Sequence, residues 1–407
     1  MNPFWDSEVP DDEFDFTKEK QNLIQNLDTL ASMTVEEQTL YKKWVELQDP
    51  AVIKNKSLLA ELYDNQWNPT DIYDYDLTVR EIENLDPYVE IVTTEKESTK
   101  WSHIRRMIHT MSWTPNPGRN VKLNIKDRVS GKLLGQVSMA SDITSLAVRD
   151  KYIGWTLQDK FAAGKLNHTS IASTIVCTQP LGYNFLGGKL IATMTTTPDV
   201  RDYWKSSYGQ TLVAVGTTSL YGIHSQYNAI PHFKTLGESA GKISIKPDDS
   251  IYTPWHQWIK ENRTQWYEIN VTEERGKDGL PIEEGDNTRS GPVSGIKQKI
   301  ISKIFSECKI SQSKYQHGFK RGCYGAFIYD NGNDFLCGKI SEDELVMKKK
   351  FVEGIDYINN WWKPKAIRRY TKLHTEGRLK PDHLYYIDAV GISWDEMKSK
   401  YLSEVGR

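Results

Sequence analysis

One stretch constrains the fold more than any other: SIASTIVC from Ser170, then TQPLGYNFLGG, then KLIATM. Ile171, Thr174, Ile175 and Val176 give the first segment the β-branched, apolar character of a buried strand. Gly182, Gly187 and Gly188 punctuate the loop before Lys189 opens an apolar helix. Such a unit belongs to a layer in which helices cover a sheet. Backbone N–H groups freed by glycines, with the positive end of a helix dipole, make an anion site without any charged side chain. An ordinary strand-to-helix turn has the same pattern, so the residues leave both readings open.

The chain has 407 residues, enough for two or three domains and a substantial core. Its hydrophobic content is 38%, and 13 Trp with 21 Tyr make aromatic rings available for stacking. No apolar run approaches the roughly 18 to 20 residues that span a bilayer. The start, MNPFWDSEVPDDEFDF, lacks a signal pattern, so no membrane and a cytoplasmic location are expected. Cys177, Cys308, Cys323 and Cys337 are far apart, which points to buried thiols rather than disulfides or a metal knuckle. There is no HExxH, no paired Cys/His set and no Walker-type loop, so neither a metal nor a triphosphatase is expected.

The charge is unevenly spread. Asp6, Glu8, Asp11, Asp12, Glu13 and Asp15 stand in the first sixteen residues with no Lys or Arg. This stretch reads as a solvated tail or as a surface for a protein partner. WWKPKAIRRYTKLHTEGRLK, residues 361–380, carries seven basic residues and a single acid, Glu376. Phosphates accept such charges, and Trp361 and Trp362 are able to stack on bases at about 1–3 kcal/mol each. The rival is a solvated helix face with buried tryptophans. Trp361, Trp362, Lys365, Arg368, Arg369 and Lys372 are the expected nucleic-acid contacts, joined by Arg321 and, if they fold to the same side, Lys320, Arg105, Arg106 and Lys339.

Along the chain, 1–16 reads as an acidic tail and 17–100 as a helical region. Leu23, Leu27 and Leu30 fall at helical spacing, and Thr34 with Glu37 forms a capping-box pattern. Residues 101–275 alternate strands and helices: a hairpin at 121–140 turning at Ser130-Gly131, the strand from Ile171, the helix from Lys189, a strand at 211–220 and a helix near Ile230–Leu236. The Gly- and Pro-rich residues 276–295 read as a linker. Residues 296–407 form a C-terminal region, opened by a helix with Ile300, Ile301, Ile304 and Phe305 on one face and closed by the helix WDEMKSKYL.

Two resemblances follow. LLGQVSMASDITSLAVRDKYIGWT (133–156), LGGKLIA (186–192), TTSLYGIHSQYNAIPHFKTLGESAG (217–241) and HGFKRGCYGAFIYDN (317–331) make residues 120–335 similar to the Druantia anti-phage protein A family of bacterial and phage proteins. A viral source, acting in a bacterial host's cytoplasm, is therefore one expectation. QPLGYNFLGG resembles the Q/R-x-x-G-x-G/A loop that holds the coenzyme A pyrophosphate in GCN5-related acyltransferases, with Asn184 where the second glycine belongs. That likeness implies a mixed α/β (α+β) sheet with an acyltransferase-like core, N-terminal helices and a C-terminal α/β extension.

The same likeness implies acyl-coenzyme A or a related phosphate-bearing donor held by Gln179, Gly182, Asn184, Gly187 and Gly188. IPHFKTLGES aligns with the helix whose tyrosine protonates the leaving thiolate, but it puts Phe233 at that place. Tyr227, His224 and Ser225 are then the candidates for proton transfer, with Tyr221 nearby. The expected function is transfer of an acyl-type group to a DNA base. The alternative is a non-catalytic DNA-binding or defence or counter-defence protein that keeps the fold as a scaffold. Arg149 between Asp142 and Asp150 reads as a structural pairing or as a phosphate clamp.

Overall fold

The computed structural model describes residues 14–49, 52–53, 61–62, 64–112, 118–179, 181–219, 226–239, 242–272, 293–318, 320–381 and 386–404. The chain divides into two compact units, one of residues 1–38 with 241–319, the other of residues 39–240 with 320–407.

The larger unit is built on seven strands: β1 (Pro87–Val92), β2 (Asn120–Asp127), β3 (Leu133–Ser141), β4 (Thr169–Cys177), β5 (Ala214–Ser219), β6 (Lys234–Ser239) and, after a two-stranded ribbon of β7 (Lys242–Ser244) and β8 (Gln316–Gly318) in the other unit, β9 (Arg321–Phe327). They lie in the order β1-β2-β3-β4-β5-β9-β6. Neighbours are antiparallel except β4 and β5, which run parallel. The mixed sheet read from the sequence is therefore present, and so is the 121–140 hairpin. Its turn passes through Gly131 at φ +71°, a left-handed position that glycine adopts without strain. β2 alternates, burying Val121, Leu123 and Ile125, whereas β3 is buried on both faces up to Ser141. A strand buried on both faces needs cover on both sides.

The helices that matter here are α1 (Phe16–Ser32), α2 (Val35–Leu47), α3 (Tyr75–Asn84), α4 (Glu95–Ile108), α5 (Ala147–Ile153), α6 (Leu181–Phe185), α7 (Gly187–Met194), α8 (Pro198–Tyr208), α9 (Asp249–Asn262), α10 (Val293–Glu307), α11 (Ile355–Thr375) and α12 (Trp394–Tyr401). The core joins Leu123, Ile125, Val137 and Ile175 of the sheet to Phe185, Ile191, Trp204, Trp362 and Tyr370 of the helices. On the other side, α4 sends Trp101 Nε1 to the Leu123 carbonyl at 3.0 Å.

Three local expectations change. Residues 230–236 are a turn and the start of edge strand β6, not a helix, because Lys234–Ser239 pairs with β9 and shifts register between Thr235 and Gly237. Phe233 thus precedes a strand. Residues 181–185, read as loop, form the short helix α6. β1 falls within the stretch read as helical.

The smaller unit consists of α1 with the residues inserted between β6 and β9. Leu23, Leu27 and Leu30 are buried along α1. Asn26 Nδ2 donates to Asp248 at 2.7 Å, the Tyr315 hydroxyl donates to Asp28 at 2.7 Å, and Phe16 meets Trp255 edge-on at 5.2 Å. Arg263 grips Glu307 through Nε at 2.9 Å and Nη2 at 2.6 Å, and this pairing pulls the Glu307 carboxyl down to about 2. The apolar face of α10 is buried as read.

Arg149 lies 2.8 Å from Asp142 and 2.6 Å from Asp150 and is 4% exposed, so it pins α5 to the end of β3: the structural pairing holds. Cys177, Cys308 and Cys323 are buried free thiols, whereas Cys337 is only partly buried. Among the described residues no helix is long and apolar enough to cross a membrane, and no cluster of His, Cys, Asp or Glu is placed to hold a metal ion. Residues 1–13 of the acidic tail and most of the 276–295 linker lie outside the described residues.

Candidate functional site

The basic segment forms the second half of α11. Ile358, Trp362, Ala366, Tyr370 and Leu373 recur at helical spacing and are all buried. The Trp362 indole, 0% exposed, donates to the carbonyls of Phe185 at 3.1 Å and Leu186 at 3.3 Å, and the Tyr370 hydroxyl donates to the Ile72 carbonyl at 2.8 Å. Trp362 is therefore a core residue and no stacking platform. Its neighbour is different: Trp361 is half-buried and starts an outward stripe with Lys365, Arg368 and Lys372, all exposed. Lys365 lies 5.7 Å from the Trp361 ring. Lys372 reaches Glu376 only at 3.8 Å.

The glycine loop lies directly beneath this helix. The Gly182 amide donates to the Thr178 carbonyl at 3.0 Å, and the Tyr183 amide donates to Gln179 Oε1 at 3.2 Å. Asn184 is buried and holds Lys380 through both ends of its amide. Leu186 bridges α6 to α7 at φ +56°. A Cβ at Gly182 would lie 2.3 Å from Gln179, one at Gly187 2.8 Å from the Leu181 carbonyl oxygen, and one at Gly188 2.1 Å from Gln226. In this arrangement the glycines make room for neighbouring protein atoms.

What the loop presents outward is Tyr183. The Arg369 guanidinium sits 5.0 Å from its ring and donates to its carbonyl at 3.4 Å, and the Lys380 ammonium sits 4.7 Å from the ring. The Glu376 carboxylate and then the Tyr183 hydroxyl hold the Arg378 guanidinium above its ordinary range. Lys189, on α7, donates to the carbonyls of Gln226 and Asn228, and its pKa is lowered by burial and then by the charge of Lys365. The expected donor loop and the expected nucleic-acid helix are thus one continuous basic surface.

A second feature is the fork between β4 and β5. Their pairing covers Thr169–Ile171 against Ala214–Gly216 and then stops. Beside it a register shift between β3 and β4 leaves Ser173 out of the pairing and exposed in mid-strand. Thr217 Oγ1 donates to the Ala172 carbonyl at 3.0 Å, and Gln226 Nε2 donates to the Ile175 carbonyl at 3.3 Å. Tyr227 packs there, buried, 5.3 Å from the Tyr324 ring and 6.1 Å from Phe233. Burial raises its pKa against the opposing hydrogen bonds with Gln226 and Thr217, so it holds its proton at neutral pH. The Tyr324 hydroxyl donates to Asn228 at 3.0 Å. His224, Ser225 and Tyr221 lie outside the described residues.

The family model described as Druantia protein DruA matches residues 39–276. The chain belongs to this family. It is 29% identical over 162 residues to Druantia protein DruA of Escherichia coli (strain UMEA 4076-1), a stretch covering 35% of this chain and 39% of the relative's length. No solved structure matches. The DruA family is one of anti-phage defence proteins. The matched residues run from within α2 to beyond α9, so they hold strands β1 to β7, the glycine loop and the fork, while α11 lies beyond them.

The other basic residues named from the sequence do not join α11. Arg105, 3% exposed, donates to the Met111 carbonyl at 2.7 Å inside the protein, and Arg106 lies 3.5 Å from Glu46. Arg321 is half-buried at the start of β9, where its amide donates to Ser239 at 3.4 Å. Lys339 pairs with Asp334 at 3.1 Å, and Lys320 lies 3.8 Å from Glu238. Sequence reasoning missed Tyr183, Lys189 and Ser173 as site residues, and it counted Arg378 and Lys380 in the basic segment 361–380 without singling them out. Tyr183 carried a signal, since it lies inside the glycine pattern; Ser173 carried none, because a bulge leaves no mark on composition.

Proposed function

We propose that this DruA-family chain acts in anti-phage defence as a nucleic-acid-binding protein, with α11 and Tyr183 as the contact surface. The observation that supports this is the outward stripe of Trp361, Lys365, Arg368 and Lys372, continued sideways by Arg369 and Lys380 over the Tyr183 ring. Cations in a row neutralise phosphates without reading sequence, and half-exposed rings among them take bases. Fluorescence anisotropy with labelled DNA and RNA across a salt series tests it. Changing Lys365, Arg368 and Lys372 together to Ala reduces affinity for every sequence and flattens the salt slope by about 0.7 per lost contact on a single strand. No binding by the intact chain at low salt removes the reading.

A second reading, transfer of an acyl-type group from a phosphate-bearing donor such as acyl-coenzyme A to a DNA base, is favoured by the fork that opens beside Ser173. The donor would lie against Gln179, Gly182, Asn184, Gly187 and Gly188, with Tyr227, His224 and Ser225 as proton-transfer candidates. The filled spaces at the three glycines mean that α6 must shift to admit a pyrophosphate. Calorimetry with acyl-coenzyme A, and mass spectrometry of nucleosides from cells making the protein, decide it. Neither heat nor a new nucleoside leaves the binding reading alone.

A further inference from the structure

We infer that the basic face of α11 continues beyond the helix's N-terminal end into a second phosphate subsite at Lys348–Lys350, so that a single strand of nucleic acid lies along the whole helix. This rests on the nucleic-acid reading above and goes beyond it by adding the subsite, the strandedness and the length of the ligand.

An open depression of about 330 Å³ sits just before α11, lined by Lys348, Lys349, Lys350, Glu353 and Tyr357. Lys349 is 90% exposed and only loosely paired with Glu353, at 3.4 Å. Lys348 donates to the Phe327 carbonyl at 2.8 Å and Lys350 to the Pro231 carbonyl. An ammonium has three N–H donors, so each anchored lysine keeps two for a ligand while its position is fixed. Asp330 is the acid whose charge reaches Lys348 and Lys350. The Lys234 charge also reaches Lys348, so four ammonium groups stand against these two carboxylates. Behind them His232, 3% exposed, meets the Tyr357 ring edge-on at 5.5 Å, and its Nδ1 has no hydrogen-bond partner among the described residues.

Tyr357 extends the stripe by one turn before Trp361. Tyr357, Trp361, Lys365, Arg368 and Lys372 follow at spacings of four, four, three and four, which keeps them on one side of a helix. At 1.5 Å per residue the stripe is about 22 Å long, the length of roughly six nucleotides stacked at 3.4 Å along one strand. Cations lie at both ends, and the two rings of the stripe, Tyr357 and Trp361, stand half-exposed between Lys349 and Lys365. Phosphate contacts alone suit a duplex; rings interleaved with cations suit a strand whose bases are free to stack.

The test measures binding of labelled oligodeoxythymidylates and oligouridylates of about three to twelve nucleotides, and of a duplex of the longest. Affinity should rise with length to about six nucleotides and then level, with the duplex weaker. Lys349→Glu, at an exposed position with no role in the core, should weaken the six-nucleotide strand about five- to tenfold. Tyr357→Ala should do the same with its thermal midpoint little changed, which separates stacking from a packing defect, and Tyr357→Phe should keep binding, which assigns the effect to the ring rather than the hydroxyl. If the intact protein binds strands but neither Lys349→Glu nor Tyr357→Ala changes the affinity, the extended track is wrong while the α11 surface stands. If the duplex binds as tightly as the strand, the single-strand assignment is overturned. If nothing binds, both this inference and the reading beneath it fall.

Discussion

Asn184 and Lys380, 196 residues apart in sequence, close a ring of two hydrogen bonds: Asn184 Nδ2 donates to the Lys380 carbonyl at 2.7 Å, and the Lys380 amide donates to Asn184 Oδ1 at 3.0 Å. The residue that departs from the acyltransferase pattern is thus the one that fastens the chain after α11 to the loop after β4. A glycine at position 184 has no side chain to do this. The same pairing sets Lys380 beside the Tyr183 ring, 4.7 Å from it.

Asn184→Ala should therefore cost about 1–3 kcal/mol, because the buried Asn184 amide loses two hydrogen bonds to the backbone of the exposed Lys380 at about 0.5–1.5 kcal/mol each. Denaturation in urea measures it. Nucleic-acid affinity should fall as well, since Arg378 and Lys380 are no longer held beside Tyr183. A variant with unchanged stability would show that water replaces both bonds.

The two adjacent tryptophans should separate cleanly. Trp362→Ala removes a fully buried indole and should destabilise by about 3–5 kcal/mol. Trp361→Ala removes a half-buried ring at the edge of the core, so it should lower the thermal midpoint much less than Trp362→Ala while weakening single-strand binding. Circular dichroism melts with parallel anisotropy titrations check both. Equal losses of stability would move Trp361 into the core and shorten the proposed track.

Much of this was legible in the sequence, for physical reasons. β4 announced itself through β-branched density, the β2–β3 hairpin through alternation around Gly131, and the α11 face through the basic residues that follow Trp361 and Trp362. The 230–236 segment was not, because an edge strand pairs on one side only and Lys234–Ser239 shows little burial to pattern it. Nor was the split between Trp361 and Trp362, since adjacent residues on a helix point about 100° apart and only the register decides which is buried. The glycines were legible as a close approach, but what approaches is the protein's own Leu181 and Gln226.

That last point makes a graded prediction. Gly187→Ala places a methyl against the backbone carbonyl of Leu181, which cannot swing aside, and should cost about 1–3 kcal/mol through overpacking. Gly188→Ala meets only the end of the Gln226 side chain, which is able to rotate away at the expense of its bond to the Ile175 carbonyl. The cost at Gly188 should be smaller. Thermal melts of the two variants test the order, and the reverse order would mean that α6 yields more easily than the fork.

His232 should give the protein a measurable acid sensitivity. Burial, followed by the nearby Lys350 charge, pushes its pKa down to about 3, and its ring packs against Phe351 and Tyr357. The unfolded chain takes up this proton near the ordinary value of about 6.5. Between those two values the unfolded state holds more protons than the folded one, so stability rises with pH across that window. The contribution is complete above about 6.5 and is lost progressively toward 3, at up to about 1.4 kcal/mol per pH unit. His232→Phe keeps a ring in place and removes the proton. Urea midpoints at neutral pH and near pH 5 should therefore fall less on acidification for His232→Phe than for the unchanged protein. Identical falls would assign the acid sensitivity to other groups.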